Sequence, residues 1–166
     1  MMLDRDWYTL CGEPVNLKRA IMDATEGDGK SIIIGTDSQR FDHHEDFITV
    51  IVVRTEMKGA RVFFTKERDL KYYTLRDKLI KEAYMSIQTA YELSPILPPS
   101  CQICALHADV NTDFNKGKSA KYANEIAGLI IGSGFPVILK PNSWASSHVA
   151  EHVLKKISHD LYNPNL

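Results

Sequence analysis

Apolar positions in this chain change period several times, and each change marks an element. Leu17, Ala20, Ile21 and Ala24 recur at helical spacing behind Asn16, a side chain suited to capping, and Gly27 and Gly29 close that first helix. A short apolar run, Ile32–Ile34, leads through Gly35 and Thr36 to Asp37 and reads as a buried strand. The polar stretch Ser38–Asp46 reads as a loop before Phe47–Arg54, which is rich in β-branched residues. Glu56–Ala60, with Gly59, turns the chain back into Arg61–Thr65, so three consecutive strands sit on short connections, the pattern of an antiparallel meander. From about Leu70 to Leu93 the period becomes helical, with Leu75, Leu79, Ala83, Ile87 and Ala90 as the core stripe; Ser94-Pro95 and Pro98-Pro99 stop it. A fourth strand, Cys101–Asp109, precedes a polar loop and a helix through Tyr122, Ala123, Ile126, Leu129 and Ile130. A short fifth strand follows at Pro136–Lys140, then a last helix from about Ser143 using Val149, Val153, Leu154 and Ile157.

A meander followed by alternating helices and strands predicts an α/β fold: a mixed five-stranded sheet, three antiparallel strands plus two parallel ones, flanked by helices. The 166 residues suit one domain, 1–166, with an N-terminal helical extension at 1–30, a core at 31–158 and a tail at 159–166. An apolar fraction of 44% with 25% charged residues is ordinary for a soluble protein. The formal charge of −1 removes any global basic field but leaves room for a local basic patch. Cys11, Cys101 and Cys104 make an odd count with no disulfide framework, which points to a reducing compartment. Cys101-x-x-Cys104 lies inside a strand-like run without a second Cys/His pair, so core thiols explain it better than zinc. No signal-like apolar start and no membrane-length stretch is present, and the expectation is a cytoplasmic protein without a membrane partner.

Two buried-looking strands each run into an aspartate, Asp37 and Asp109. An ionised carboxylate at the end of a core strand carries a desolvation cost of several kcal/mol unless it is paired. Parallel crossovers would set these two strand ends side by side at one sheet edge, where such folds open a ligand crevice. Like charges brought that close require a cation between them or a shared proton, so the pattern predicts a divalent-metal site. His107 shares the strand face of Asp109 by the two-residue period; orienting that acid and bonding to backbone in the core are both open to it. Asp42, His43, His44 and Glu45 look like a ligand cluster but read as a solvated loop.

Gly35-Thr36-Asp37-Ser38-Gln39, His107-x-Asp109, Lys140-Pro141 and Ala145-Ser146-Ser147, in this order, resemble the ribonuclease H-like superfamily, and within it the bacterial YkuK-like family. The resemblance runs from about Ile32 to Lys156. It implies a nuclease or related phosphoryl-transfer fold using two divalent ions, Mg²⁺ or Mn²⁺, held at four positions. These are a first-strand Asp (Asp37), an acid on the helix after the meander, a fourth-strand Asp (Asp109) and an acid or His on the last helix. Glu82 fits the second position. Periodicity agrees: at about 100° per residue it lies roughly 60° from Leu79, at the edge of the apolar stripe, whereas Asp77 faces the far side. The fourth position aligns with Glu151, which on an α-helix through Val149, Val153 and Ile157 points roughly 130° from the stripe centre. His148 and Ser147 are alternative donors there.

Ser38, Gln39, Asn111, Lys116, Lys140 and Ser146 are the candidate substrate-binding positions. Lys116, Lys118, Lys121 and Lys140 could supply positive charge for a nucleic-acid backbone. Lys140, just before Pro141, could reach a phosphate or pair with the acids. Two function classes follow. One is a metal-dependent nuclease hydrolysing phosphodiester bonds; the other is a non-catalytic ribonuclease H-like module that binds nucleic acid or a protein partner.

Overall fold

Three long strands with alternating faces build the centre of the molecule, and the rest of the chain is laid against them. In the computed structural model, residues 1–150, 152 and 153 are described, with the backbone alone at 146–148. The strands are β1 (Trp7–Thr9), β2 (Pro14–Val15), β3 (Lys30–Arg40), β4 (Glu45–Thr55), β5 (Gly59–Asp69), β6 (Gln102–Asn111) and β7 (Val137–Lys140). The helices are α1 (Leu17–Ala24), α2 (Leu75–Leu93) and α3 (Ala123–Gly132), followed by a π-helical segment, Ala145–Ala150. The sheet order is β2-β1-β5-β4-β3-β6-β7. β3, β4 and β5 form the expected antiparallel meander, and β6 and β7 add in parallel beside β3.

The expected count of five strands is corrected to seven among the described residues. β1 and β2 are too short for a two-residue period to show, and a hairpin turn at Gly12, φ +87°, joins them. Thr9 N–H to Glu13 O at 2.9 Å and Gly12 N–H to Thr9 O at 2.8 Å close that turn. β1 then pairs with β5, so the first 30 residues contribute sheet edge as well as α1. The polar loop expected at Ser38–Asp46 is also shorter than it reads. β3 and β4 stay paired out to Arg40 opposite Glu45, which buries Glu45 and Asp46 within the ladder. Arg68 on the neighbouring strand makes this tolerable by donating to both Asp46 oxygens at 2.8 and 3.0 Å.

Strand parity sorts the core. Ile32 and Ile34 of β3, Ile51 and Val53 of β4, and Leu106 of β6 face the layer made by α1, α2 and α3. Ile33, Ile48, Val50, Val52 and Phe64 face the opposite way and are covered by Ala145, Ala150 and Val153. α2 is capped by Thr74, whose hydroxyl oxygen accepts from Asp77 N–H, so it begins at Leu75 rather than near Leu70. Lys81 locks α2 to β5: its ammonium donates to Glu67, to Asp69 at 2.9 Å and to the Tyr73 hydroxyl at 3.2 Å. Leu154, Ile157 and the tail expected at 159–166 lie outside the described residues. No described helix is long and apolar enough to cross a membrane.

Trp7 tests whether the N-terminal strands are integral. Its ring is 1% exposed and its indole N–H donates to Met2 O at 2.9 Å. Trp7→Ala is expected to lower unfolding stability by about 3–5 kcal/mol in denaturant titration. A loss under about 1 kcal/mol would show that the sheet does not depend on this edge.

Candidate functional site

Residues of even number on β3 face α2, and those of odd number face the Ala145–Ala150 segment, as Ile34 and Ile33 show. Past the apolar part of the strand the same alternation puts Thr36 and Ser38 towards α2, and Asp37 and Gln39 on the other face. β6 follows suit: Ala108 packs on the helical layer, whereas His107 meets Ala145. Thr36 is in register with Ala108 across the parallel pair. The next residue of each strand is an aspartate, Asp37 and Asp109, so the two acids follow the last paired positions of adjacent strands.

Glu82 approaches from the other face. It lies 6% exposed on α2, while Asp77 is solvent-exposed, as the stripe geometry predicts. Its Oε1 accepts from Ser38 Oγ at 2.6 Å. Burial pushes the Glu82 carboxyl well above its usual range, and the charge of Asp37 pushes it further, with a lesser push from Asp109; the Ser38 hydroxyl and the Lys78 ammonium oppose this. Three carboxylates from two strands and a helix therefore feel one another at one end of the sheet. Positive charge nearby comes from Lys140, whose Nζ stands 2.9 Å from Asp109 Oδ1, and from Lys78, 3.9 Å from Glu45.

Oxygen-only donors of this type suit a hard divalent cation. Among the described residues, no group of three or more His, Cys, Asp or Glu side chains stands close enough together to hold a metal ion. The chemistry of the acids fits such an ion, but their carboxylates are not drawn into a closed cage. Glu151 lies outside the described residues, and nothing is described of the side chains of Ser146, Ser147 and His148. Their backbone runs through the π-helical segment, so the α-helical angles that set Glu151 away from the sheet do not apply at 145–150.

The remaining positions divide clearly. Ser38, expected to meet substrate, is instead buried against Glu82, because its strand parity aims it at α2. Gln39 is exposed beyond Asp37. Asn111 ties down its own loop: its N–H donates to Ser119 Oγ at 3.1 Å and its amide to Lys116 O at 3.4 Å. Lys116 is exposed on that loop. His107 is buried, accepts from Ala145 N–H through Nδ1 at 3.1 Å, and packs edge-on to Trp144. Burial and the charge of Arg54 lower its pKa to about 4, so the ring is neutral, with its proton on Nε2. His107 thus joins the strand bearing Asp109 to the start of the last helical segment. His43 is exposed and Glu45 is buried, so the Asp42–Glu45 stretch does not gather into one ligand cluster.

A column of hydroxyls was missed by the sequence reading. Thr36 Oγ1 lies 3.0 Å from Thr49 Oγ1 and 2.8 Å from Ser86 Oγ, directly beneath the Ser38–Glu82 contact. Its signal was available. Glu82 and Ser86 are four apart on a helix, and Thr36 and Ser38 are two apart on a strand, so both polar pairs keep one face at their own period.

A family model described as Ribonuclease H-like matches residues 16–155. Among solved structures the chain is similar to the N-terminal RNase H domain of rv2228c from Mycobacterium tuberculosis, determined as a fusion with maltose binding protein. The TM-score is 0.38 at 8% identity, over 79% of this chain and 98% of that one. It is also similar to Ciona intestinalis endonuclease V, determined with a 24mer DNA containing an inosine followed by a ribo-adenosine. There the TM-score is 0.39 at 13% identity, over 89% of this chain and 66% of that one. No curated protein matches the sequence.

Glu82 carries a pH signature. A carboxyl whose folded pKa lies above its unfolded value stabilises the fold below the unfolded pKa and loses that contribution as pH rises through the folded one. With EDTA present, Glu82→Gln keeps an acceptor for Ser38 and removes the charge facing Asp37, Asp109 and Lys78. It is expected to melt higher than wild type at pH 7, with the difference shrinking as pH falls towards the unfolded value of 4.5. Equal melting temperatures across that range would show that the carboxylates do not strain one another.

Proposed function

This chain belongs to the ribonuclease H-like family, and we propose that it is a divalent-metal-dependent nuclease that hydrolyses phosphodiester bonds in nucleic acid. The observation that carries this reading is Glu82, a carboxylate buried beside two strand-end aspartates whose charges oppose its own. A fold with no use for a cation at that edge would be more stable with an amide or apolar residue in its place. Asp37, Glu82 and Asp109 would hold Mg²⁺ or Mn²⁺, with Glu151 as the fourth acid. When bound, the metal supplies an activated water and stabilises the leaving oxygen.

The chain's own residues do the rest. Ser38 fixes the Glu82 carboxylate through its 2.6 Å hydrogen bond, so one ligand is oriented before substrate arrives. His107 fixes the first turn of the Ala145–Ala150 segment against β6. Lys140 neutralises Asp109 and, as a flexible point charge, can turn to a substrate phosphate. Gln39, Asn111 and Lys116 lie around the same strand ends and contact the nucleic-acid backbone. In this reading the chain acts as a single domain, 1–166.

A second reading has its own observation. The 2.9 Å Lys140–Asp109 pair already supplies an internal cation, as a non-catalytic module binding nucleic acid or a protein would retain.

Two measurements separate them. Purified protein with Mn²⁺ is expected to cleave at least one of single-stranded DNA, RNA, duplex or hybrid, with EDTA abolishing turnover. Asp37→Asn and Asp109→Asn should each lower the rate at least about a hundredfold, an amount in keeping with loss of a stabilising charge in a catalytic site. Mg²⁺ or Mn²⁺ should also raise the melting temperature of wild type but much less that of Asp37→Asn. Bound metal with no cleavage of any substrate would establish the binding module, and EDTA-resistant cleavage would refute the metal mechanism.

A further inference from the structure

Beyond the acid edge, the loop after β6 builds a second feature. A cleft of about 480 Å³, within the range of small-molecule sites, is lined by Leu75, Phe114, Gly117, Lys118, Lys121 and Tyr122. Phe114 sits at the tip of a polar loop and is 76% exposed. A lone exposed aromatic is unremarkable, but this one shares its cleft with a second ring, Tyr122, over which the Lys121 ammonium lies 5.0 Å from the centroid.

Charge at the cleft has one sign. Residues 111–122 contain Lys116, Lys118 and Lys121 against Asp113 alone. Asp113 turns its carboxylate to Asn115 N–H at 2.9 Å, and Glu125, beyond this stretch, is taken by Arg76. Among the described residues, none of the three lysines is paired with a carboxylate.

The cleft is also tied to the acids. Asn111, two residues past Asp109, bonds Ser119 and Lys116, and the loop packs so closely that a Cβ on Gly117 would stand 2.3 Å from Asn111 Nδ2. Leu75 lies seven residues before Glu82 on the same helix, about 10 Å along its axis.

We infer that this cleft is a stacking site for an unpaired base of a single-stranded nucleic acid, with Phe114 and Tyr122 as the aromatic surfaces and Lys118 and Lys121 on the flanking phosphates. The inference rests on the nucleic-acid reading above and narrows it to single strands or unpaired ends. Bases inside a duplex are already stacked on their neighbours and cannot offer a face to protein rings. The exposed ring of Phe114 beside ammonium groups that no carboxylate holds is the complement of a base joined to a phosphate, and both DNA and RNA present it.

The test is fluorescence anisotropy on the full chain in EDTA, so that nothing is cleaved, with labelled oligo(dT), oligo(rU) and a blunt duplex of about a dozen nucleotides. Single strands are expected to bind more tightly than duplex, with the dT and rU arms deciding between DNA and RNA. Phe114→Ala should weaken single-strand binding about tenfold without changing the melting temperature, and Phe114→Trp should retain it. Lys118→Ala combined with Lys121→Ala should reduce the slope of log affinity against log salt by about 1.4, or 0.7 for each phosphate contact. Unchanged affinity in Phe114→Ala, equal affinity for duplex, or no binding of any strand would overturn the inference. Cleavage is scored separately: an active nuclease whose binding ignores Phe114 refutes only the stacking site. Phe114-dependent binding without cleavage supports that site and removes the nuclease reading.

Discussion

The carboxylate of Glu82, taken out of water between α2 and the sheet, is the constraint on which the arrangement around it depends. An ionisable group so placed costs several kcal/mol if left without partners. Among the described residues its direct hydrogen bond comes from Ser38, and the hydroxyls of Thr36, Thr49 and Ser86 fill the next layer of the same interface. Further down, the contact between α2 and the sheet is apolar, through Ala83, Ile87 and Ala90 against Ile34 and Ile51. The interface therefore changes from greasy to polar along a single helix. Turning α2 by one residue would rotate it about 100° and break both halves together, so the register of α2 on β3 is fixed.

That fixed register matters because the acids arrive from opposite faces. Asp37 and Asp109 lie on the face covered by Ala145–Ala150, while Glu82 belongs to the α2 face. Carboxylates from both sides influence one another just past Thr36 and Ala108, where the β3–β6 pairing ends. The parallel β3–β6 pair makes this possible, since parallel neighbours end at the same edge and carry their terminal residues side by side. Lys81, holding Glu67, Asp69 and Tyr73, anchors α2 to the far strand of the meander, so the helix is tied on both sides of the polar column.

Much of this was legible in the sequence because it rests on strong periodic signals. The meander, the two parallel strands, the cap at Asn16 and the burial of Glu82 all follow from apolar runs or from angles on a long helix. What stayed hidden shares a different cause. β1 and β2 have three and two residues, too few to express a period, and their place is decided by pairing with β5. Glu45 and Asp46 looked solvated because charge in a polar stretch normally is; Arg68, twenty-two residues further on, reverses that for Asp46. Ser38 matched a motif as a substrate-binding candidate, yet strand parity sends its hydroxyl inward. Local composition misled wherever a partner distant in sequence set the outcome.

Lys140 shows how the charge at this edge is balanced. Its ammonium is 2.9 Å from Asp109, but the two side chains are 39% and 20% exposed. A pair that open to solvent contributes at most about 1 kcal/mol, far less than the cost borne by a buried carboxylate. Asp109 is thus neutralised by a partner it can exchange at little cost, while Glu82, on the dry side, has a hydroxyl and a more distant ammonium. In the proposed function, the two roles of Lys140, pairing with an acid and meeting a phosphate, would be successive rather than exclusive. A cation taken up by the acids would release the lysine, and a released lysine beside the strand ends is placed to meet the anion that the cation attracts.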